Sequence, residues 1–243
     1  DFQWLFTTDR IEAKKNQHVM DGLFGFTEAL GIAPPNPRWD IPIPDRAREF
    51  AARHIQADTR TLVISPCSTS RYRNWRNWSV EGYAAVADHA VGKLGMQVIL
   101  TGGPSPMETR YGKEICRITR HTPTNLIGQT SLKELLALLD EAHALVAPDS
   151  GPVHMATTVG TPVIGLYATS NPMRTGPYLS RQWVVNKYPE ALEAELRATP
   201  GFERAICLGQ RPRAEAAQLM AESCAGLVLF LPAGNHVEAQ PTK

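Results

Sequence analysis

The chain has 243 residues, of which 43% are hydrophobic and 20% charged, and a formal net charge of +1. This is ordinary for a globular protein and offers no basic or acidic surface for nucleic acid or an oppositely charged partner. The longest apolar run near the C-terminus, GLVLFLPAG, is too short to span a bilayer, and the N-terminal segment lacks the pattern of a signal peptide.

The first residue is Asp1, so a longer parent protein is expected. HVMDGLFGFTEALGI (18–32) has the apolar spacing of an amphipathic helix, and the proline-rich APPNPRWDIPIP (33–44) then forbids helix and central strand. From residue 60 a regular beat begins. Strands are expected at TLVISP (61–66), QVILTGG (97–103), NLIG (125–128), ALVAPD (144–149) and PVIGLYA (162–168). Helices are expected at 80–95, 107–119, 131–142 and from about Gly151 onward. Thr130 or Ser131 would cap the third of these. After residue 170 TSNPMRTGPY is rich in turn formers, YPEALEAELRA (188–198) reads as a helix, and the remainder has weak patterning.

Near-continuous apolar strands alternating with helices mean β-α-β units around a parallel sheet buried on both faces. The fold class is therefore α/β, a doubly wound Rossmann-like domain. The expected division is a remnant of one domain at 1–32, a linker at 33–44, a complete Rossmann-like domain at 45–185, and a C-terminal helix with a poorly defined tail at 186–243.

Ligands bind beyond the carboxyl ends of such strands, and three of those ends carry polar or glycine-rich turns. In PDSGPVH, Asp149 stands where the strand stops, Gly151 permits close approach of a ligand, and Pro152 opens a helix whose N-terminal amides favour an anion. His154 adds a donor in the first turn; a buried capping aspartate with a satisfied core histidine is the competing reading. In STSRYRNW, Ser68, Thr69 and Ser70 with Arg71 and Arg73 are suited to a diphosphate, although taken in isolation an exposed, capped turn explains them better. Trp75 and Trp78 read as packing residues. In TGGPSPME, Glu108 is placed to accept from ribose hydroxyls, but the glycines do not match the dinucleotide fingerprint.

No Walker A, nucleophile-elbow or H-E-x-x-H sequence occurs, and His121, His143 and His154 lack metal-ligand spacing, so neither a metal nor a cofactor is expected. The cysteines Cys67, Cys116, Cys207 and Cys224 are widely spaced without a C-x-x-C pair, which fits reduced thiols in a cytosol.

Together SPCSTSRYRNW, VILTGGPSPME, NLIGQTSLKELLALLDEAHALVAPDSGPVHMA and GTPVIGLYATSNPMRTGPY resemble the C-terminal half of the ADP-heptose:lipopolysaccharide heptosyltransferases, which have the two-domain GT-B fold. LFTTDRIEAKKNQHVMDGLFGF (5–26) more weakly resembles the end of that family's N-terminal domain, which carries the acceptor site. The resemblance implies that Asp149, Ser150, Gly151 and His154 form the D-[ST]-G-x-x-H element around diphosphate and sugar, and that Ser68, Thr69 and Ser70 hold phosphate oxygens. Arg73 falls where the family has lysine, Glu108 would take the ribose, and Thr130 would face adenine through its backbone. Arg76 stands where the family has a proline after its tryptophan.

The implied activity is inverting transfer of heptose from ADP-heptose to the inner core of lipopolysaccharide, in the cytoplasm with peripheral contact to the inner membrane. The family's base lies in the N-terminal domain, so no catalytic residue is nominated, and this chain is expected to bind donor but transfer poorly. Two alternatives stay open: another GT-B transferase using a UDP-linked hexosamine, and a non-catalytic nucleotide-binding module.

Overall fold

Six parallel strands in the order β3-β2-β1-β4-β5-β6 form one sheet in the computed structural model, which describes residues 5–12, 14, 17–33, 36–68 and 76–188. The strands are β1 (Thr61–Ile64), β2 (Gln97–Leu100), β3 (Thr124–Asn125), β4 (Ala144–Pro148), β5 (Val163–Tyr167) and β6 (Val185–Asn186). This is the doubly wound order, whose topological switch lies between β1 and β4. Registers Leu62↔Ala144 and Ile64↔Val146 on one side of β1, and Ile64↔Leu100 on the other, bring the carboxyl ends of these strands to one edge.

The helices are α1 (Val19–Ala29), α2 (Asp45–His54), α3 (Val80–Leu94), α4 (Pro106–Ile118), α5 (Leu132–Glu141), α6 (Gly151–Val159) and α7 (Pro172–Thr175). Their starts follow local chemistry: Ser79 caps α3, Ser105 caps α4, and Ser131 with Glu134 closes a capping box on α5. Thr130 is thereby excluded as the cap of α5.

One face of the sheet packs Leu62, Ile64, Val98, Leu100 and Val146 against Tyr83, Ala87 and Ile115 of α3 and α4. On the other face, Val63, Leu145 and Val163 meet Leu139, Val153 and Ala156 of α5 and α6. β1 is buried throughout and β4 from Leu145 onward, as both-sided burial of a parallel strand requires.

Three differences from the sequence-based expectations have physical causes. α2 was not expected, because DRAREFAARH carries few large apolar residues; it docks through Ala47 and Ala51 against Ala137 and Leu138 of α5, small residues that allow close packing. The strand expected over 125–128 is only Thr124–Asn125, because the chain then turns and the Gly128 amide donates to the Gly102 carbonyl at 2.9 Å. β6 adds a short pairing to β5, Leu166↔Val185, in a stretch where no strand was expected. The helix expected at 188–198 lies, but for Tyr188, outside the described residues.

α1 has no buried residue of its own, and Leu23 and Phe26 are exposed. It is held at its N-terminus. His18, 4% exposed, accepts from the Met20 amide through Nδ1 at 3.1 Å, and Nε2 lies 3.0 Å from the Gly176 carbonyl oxygen. One turn on, the Tyr178 hydroxyl donates to Asp21 at 2.5 Å, and Arg181 reaches the same carboxylate at 3.3 Å.

Candidate functional site

The site edge is assembled from the loops that follow β1, β2, β3 and β4. Two consecutive residues after β1 join three of them. Arg76 Nη1 lies 3.4 Å from Asp149 Oδ2 and 3.5 Å from the Asp149 carbonyl oxygen, tying this loop to the end of β4. Asn77 Oδ1 accepts from the Ser68 amide at 2.8 Å, and its Nδ2 lies 3.5 Å from Met107 Sδ in the first turn of α4. The fourth loop joins through the Gly128–Gly102 backbone bond.

Ser68 is buried (3% exposed) directly beyond β1, with its hydroxyl 3.3 Å from Asn77 Oδ1. Thr69, Ser70 and Arg73 lie outside the described residues, as do Arg71 and Trp75. Trp78 packs edge-on against Tyr83, with ring centroids 5.3 Å apart, in keeping with a packing role.

Glu108 sits in the first turn of α4. The Ser105 hydroxyl accepts from the Glu108 amide at 3.2 Å and donates to its carboxylate at 2.7 Å. The glycine pair before it has a steric purpose: a Cβ on Gly103 would stand 2.8 Å from Glu108 Oε2. The carboxylate therefore folds back over a backbone that only glycine leaves open. Nearby, burial pushes the Cys67 thiol up to about 12, assisted by the Glu108 charge and opposed by Arg110, so this thiol stays protonated and unreactive. Thr130 is half-buried in the loop after β3.

Asp149 is 7% exposed and follows β4 directly. Ser150 occupies the N-cap position of α6, but its hydroxyl donates to the Pro148 carbonyl at 2.9 Å and caps nothing. Pro152 brings no amide hydrogen, and the Val153 amide donates to the Ser150 carbonyl at 3.2 Å. The start of α6 is thus leaner in donors than four free amides; the Gly151 amide and the helix dipole are among what it offers an anion. Gly151 has no positive φ. A Cβ built there would meet nothing within 4 Å, so folding does not require glycine at this position. His154 is exposed, and its charge bears on His18, which places it toward the seat of α1.

Ser68, Glu108 and the Asp149–Gly151 turn are therefore linked through Arg76, Asn77 and Met107. Sequence reasoning missed Arg76 and Asn77 as site residues. Arg76 carried a signal, since it replaces a proline at that position of the resemblance; Asn77 carried none. Among the described residues there is no group of three or more His, Cys, Asp or Glu that could hold a metal ion, and no helix long and apolar enough to cross a membrane.

Comparisons with known proteins agree with this architecture. Residues 1–204 match the model of glycosyltransferase family 9 (heptosyltransferase). The lipopolysaccharide core heptosyltransferase OpsX of Haemophilus influenzae is 40% identical over 193 residues, 79% of this chain and 54% of the relative. Lipopolysaccharide heptosyltransferase 3 of Escherichia coli is 37% identical over 111 residues, 45% of this chain and 31% of the relative. The chain thus spans about half the length of these curated relatives, or less. Among solved structures, a family 9 glycosyl transferase from Veillonella parvula aligns with a TM-score of 0.65 at 24% identity, covering 83% of this chain and 59% of its own. The Escherichia coli heptosyltransferase WaaC, solved with ADP, aligns at 0.56 and 21% identity, covering 90% and 60%. At these identities the structural likeness shows a shared fold.

Proposed function

The chain belongs to glycosyltransferase family 9, the heptosyltransferases, and from that membership we propose that its sheet edge binds the nucleotide-sugar donor, ADP-heptose, for transfer of heptose to the inner core of lipopolysaccharide. The observation that carries the reading is the meeting of four loops at the β1–β4 switch, where Gly151 opens α6 toward solvent with no side chain to fill the space.

The diphosphate lies against the start of α6 and the Ser68, Thr69, Ser70 and Arg73 loop. Glu108 accepts from the ribose hydroxyls, the backbone at Thr130 meets adenine, and Asp149, Ser150, Gly151 and His154 stand around the diphosphate and sugar. The transfer is an inverting displacement. The acceptor hydroxyl oxygen bonds to the anomeric carbon as the bond from that carbon to the phosphate oxygen breaks, and ADP leaves with the electron pair. Cationic and amide groups at the diphosphate stabilise that departure. The acceptor proton requires a carboxylate base, and no residue of this chain is assigned that role. The reaction takes place in the cytoplasm, with the acceptor presented from the inner membrane surface.

Isothermal titration of the chain with ADP and with UDP, beside a transfer assay using ADP-heptose and a lipopolysaccharide precursor, tests this. Saturable ADP binding, weaker UDP binding and slow or absent transfer are expected. Preference for UDP would move the chain to another sugar-nucleotide class, and efficient transfer by the chain alone would show that the base lies within it.

A further inference from the structure

The ion pair between Arg76 and Asp149 joins the loop after β1 to the end of β4, at the point where the proposed donor enters. The Asp149 side chain is 10% exposed and lies two residues before the open Gly151 position. A carboxylate so placed opposes any anion settling at the start of α6, because like charges in a partly desolvated crevice repel far more strongly than in water. Arg76, 29% exposed, bears on both negative ends of that residue, the carboxylate at 3.4 Å and the main-chain carbonyl at 3.5 Å. Tyr167 on β5 also lies within electrostatic reach of Asp149 and Arg76, and its hydroxyl donates to the Thr175 carbonyl at 2.9 Å, so as a neutral phenol it leaves the compensation to the guanidinium.

We propose that Arg76 is a positioning residue for the donor: it neutralises Asp149 beside the opening of α6, so that the crevice accepts a nucleoside diphosphate. The role rests on the reading of this crevice as the donor site. It differs from a direct phosphate contact, because its benefit disappears once Asp149 carries no charge.

A charge cycle on the full chain tests it, with ADP as the titrant and a melting curve for every variant. Arg76→Gln is expected to weaken ADP binding by about tenfold or more, and Arg76→Lys to retain most of the affinity. Adding Asp149→Asn to Arg76→Gln is expected to return the affinity to within about threefold of the parent. Asp149→Asn alone, which leaves the guanidinium unopposed, is expected to bind ADP a few-fold more tightly. A purely structural ion pair predicts a different pattern, since removing both partners does not rebuild a contact. The role is overturned if Arg76→Gln binds like the parent, or if the folded double variant stays as weak as Arg76→Gln, in which case Arg76 touches the diphosphate itself. Should Arg76→Gln fail to fold, Asp149→Asn decides alone, and equal or weaker ADP binding overturns the role. If the unaltered chain does not bind ADP, the donor reading falls and this role with it; if it binds and the cycle fails, only the role of Arg76 is lost.

Discussion

The His18 ring joins two segments 158 residues apart in sequence: Nδ1 receives the Met20 amide, and Nε2 lies 3.0 Å from the Gly176 carbonyl oxygen. These two contacts define a neutral imidazole with its proton on Nε2, because a ring nitrogen that accepts an amide hydrogen carries none of its own. Beside the Asp21 contacts to Tyr178 and Arg181, the imidazole both caps α1 and anchors it.

Replacing His18 with Ala is therefore expected to lower unfolding stability by about 1–3 kcal/mol, since it removes a cap and strands a buried carbonyl. Urea denaturation measures the loss, and hydrogen exchange locates it. Amides of α1 should lose protection more than those of β1 or β4, and a loss spread evenly over the sheet would contradict the anchoring role.

The same contacts set a pH dependence. Burial lowers the His18 pKa below its ordinary 6.5, helped by the charges of Arg181 and His154 and opposed by the Gly176 bond and Asp21. A histidine with a depressed folded pKa contributes fully above its unfolded pKa and loses that contribution as pH falls through the folded value. Asp21 behaves in the same direction at lower pH. Burial works against its carboxylate, but the bonds from Tyr178 and Arg181 outweigh it and hold the pKa below 3.8, so its contribution is full above 3.8 and disappears as acidity rises further. The stability gap between the parent and His18→Ala should be widest above about pH 7 and narrow as pH falls below about 6.5. A gap constant across that range would refute the assignment of a buried, neutral ring.

Gly151→Ala separates folding from binding. With helical backbone and nothing within 4 Å of an added Cβ, the folded state tolerates alanine, and the unfolded chain loses freedom. Stability is expected to stay level or rise by about half a kcal/mol. ADP affinity is expected to fall by about tenfold, since the methyl group occupies the approach to the α6 amide. Undiminished ADP binding would place the diphosphate elsewhere.

Gly103→Ala acts on Glu108. The added Cβ would stand 2.8 Å from the carboxylate oxygen, a flexible end that moves rather than breaking the fold. The melting temperature should hardly change. Preference for ADP over 2′,3′-dideoxy-ADP should shrink, as it should in Glu108→Ala, because the displaced carboxylate no longer meets the ribose hydroxyls. Equal preference in all three proteins would remove Glu108 from the nucleotide site.

Much of the candidate site's placement was legible in advance because polar and glycine residues interrupt apolar strands at their carboxyl ends, and a parallel sheet brings those ends to one edge. Asp149, Ser150 and Gly151 announce themselves in this way against the buried Leu145, Val146 and Ala147. Arg76 and Asn77 do not. Their pairing with Asp149, Ser68 and Met107 depends on where a loop returns across the sheet, and no local periodicity encodes that return. α2 escaped notice for a related reason: Ala47 and Ala51 mark a packing face only once Leu138 lies opposite.

The sequence by itself determined the alternation of elements, the parallel sheet and the edge where its polar loops gather, because burial on both faces dictates residue types at short range. Only the tertiary structure decided that Arg76 faces Asp149, that Gly103 makes room for Glu108, and that His18 anchors α1 to the turn after α7. Those are contacts between segments distant along the chain. Their partners are selected by packing geometry and by the electrostatic cost of leaving a buried charge or polar group unmatched.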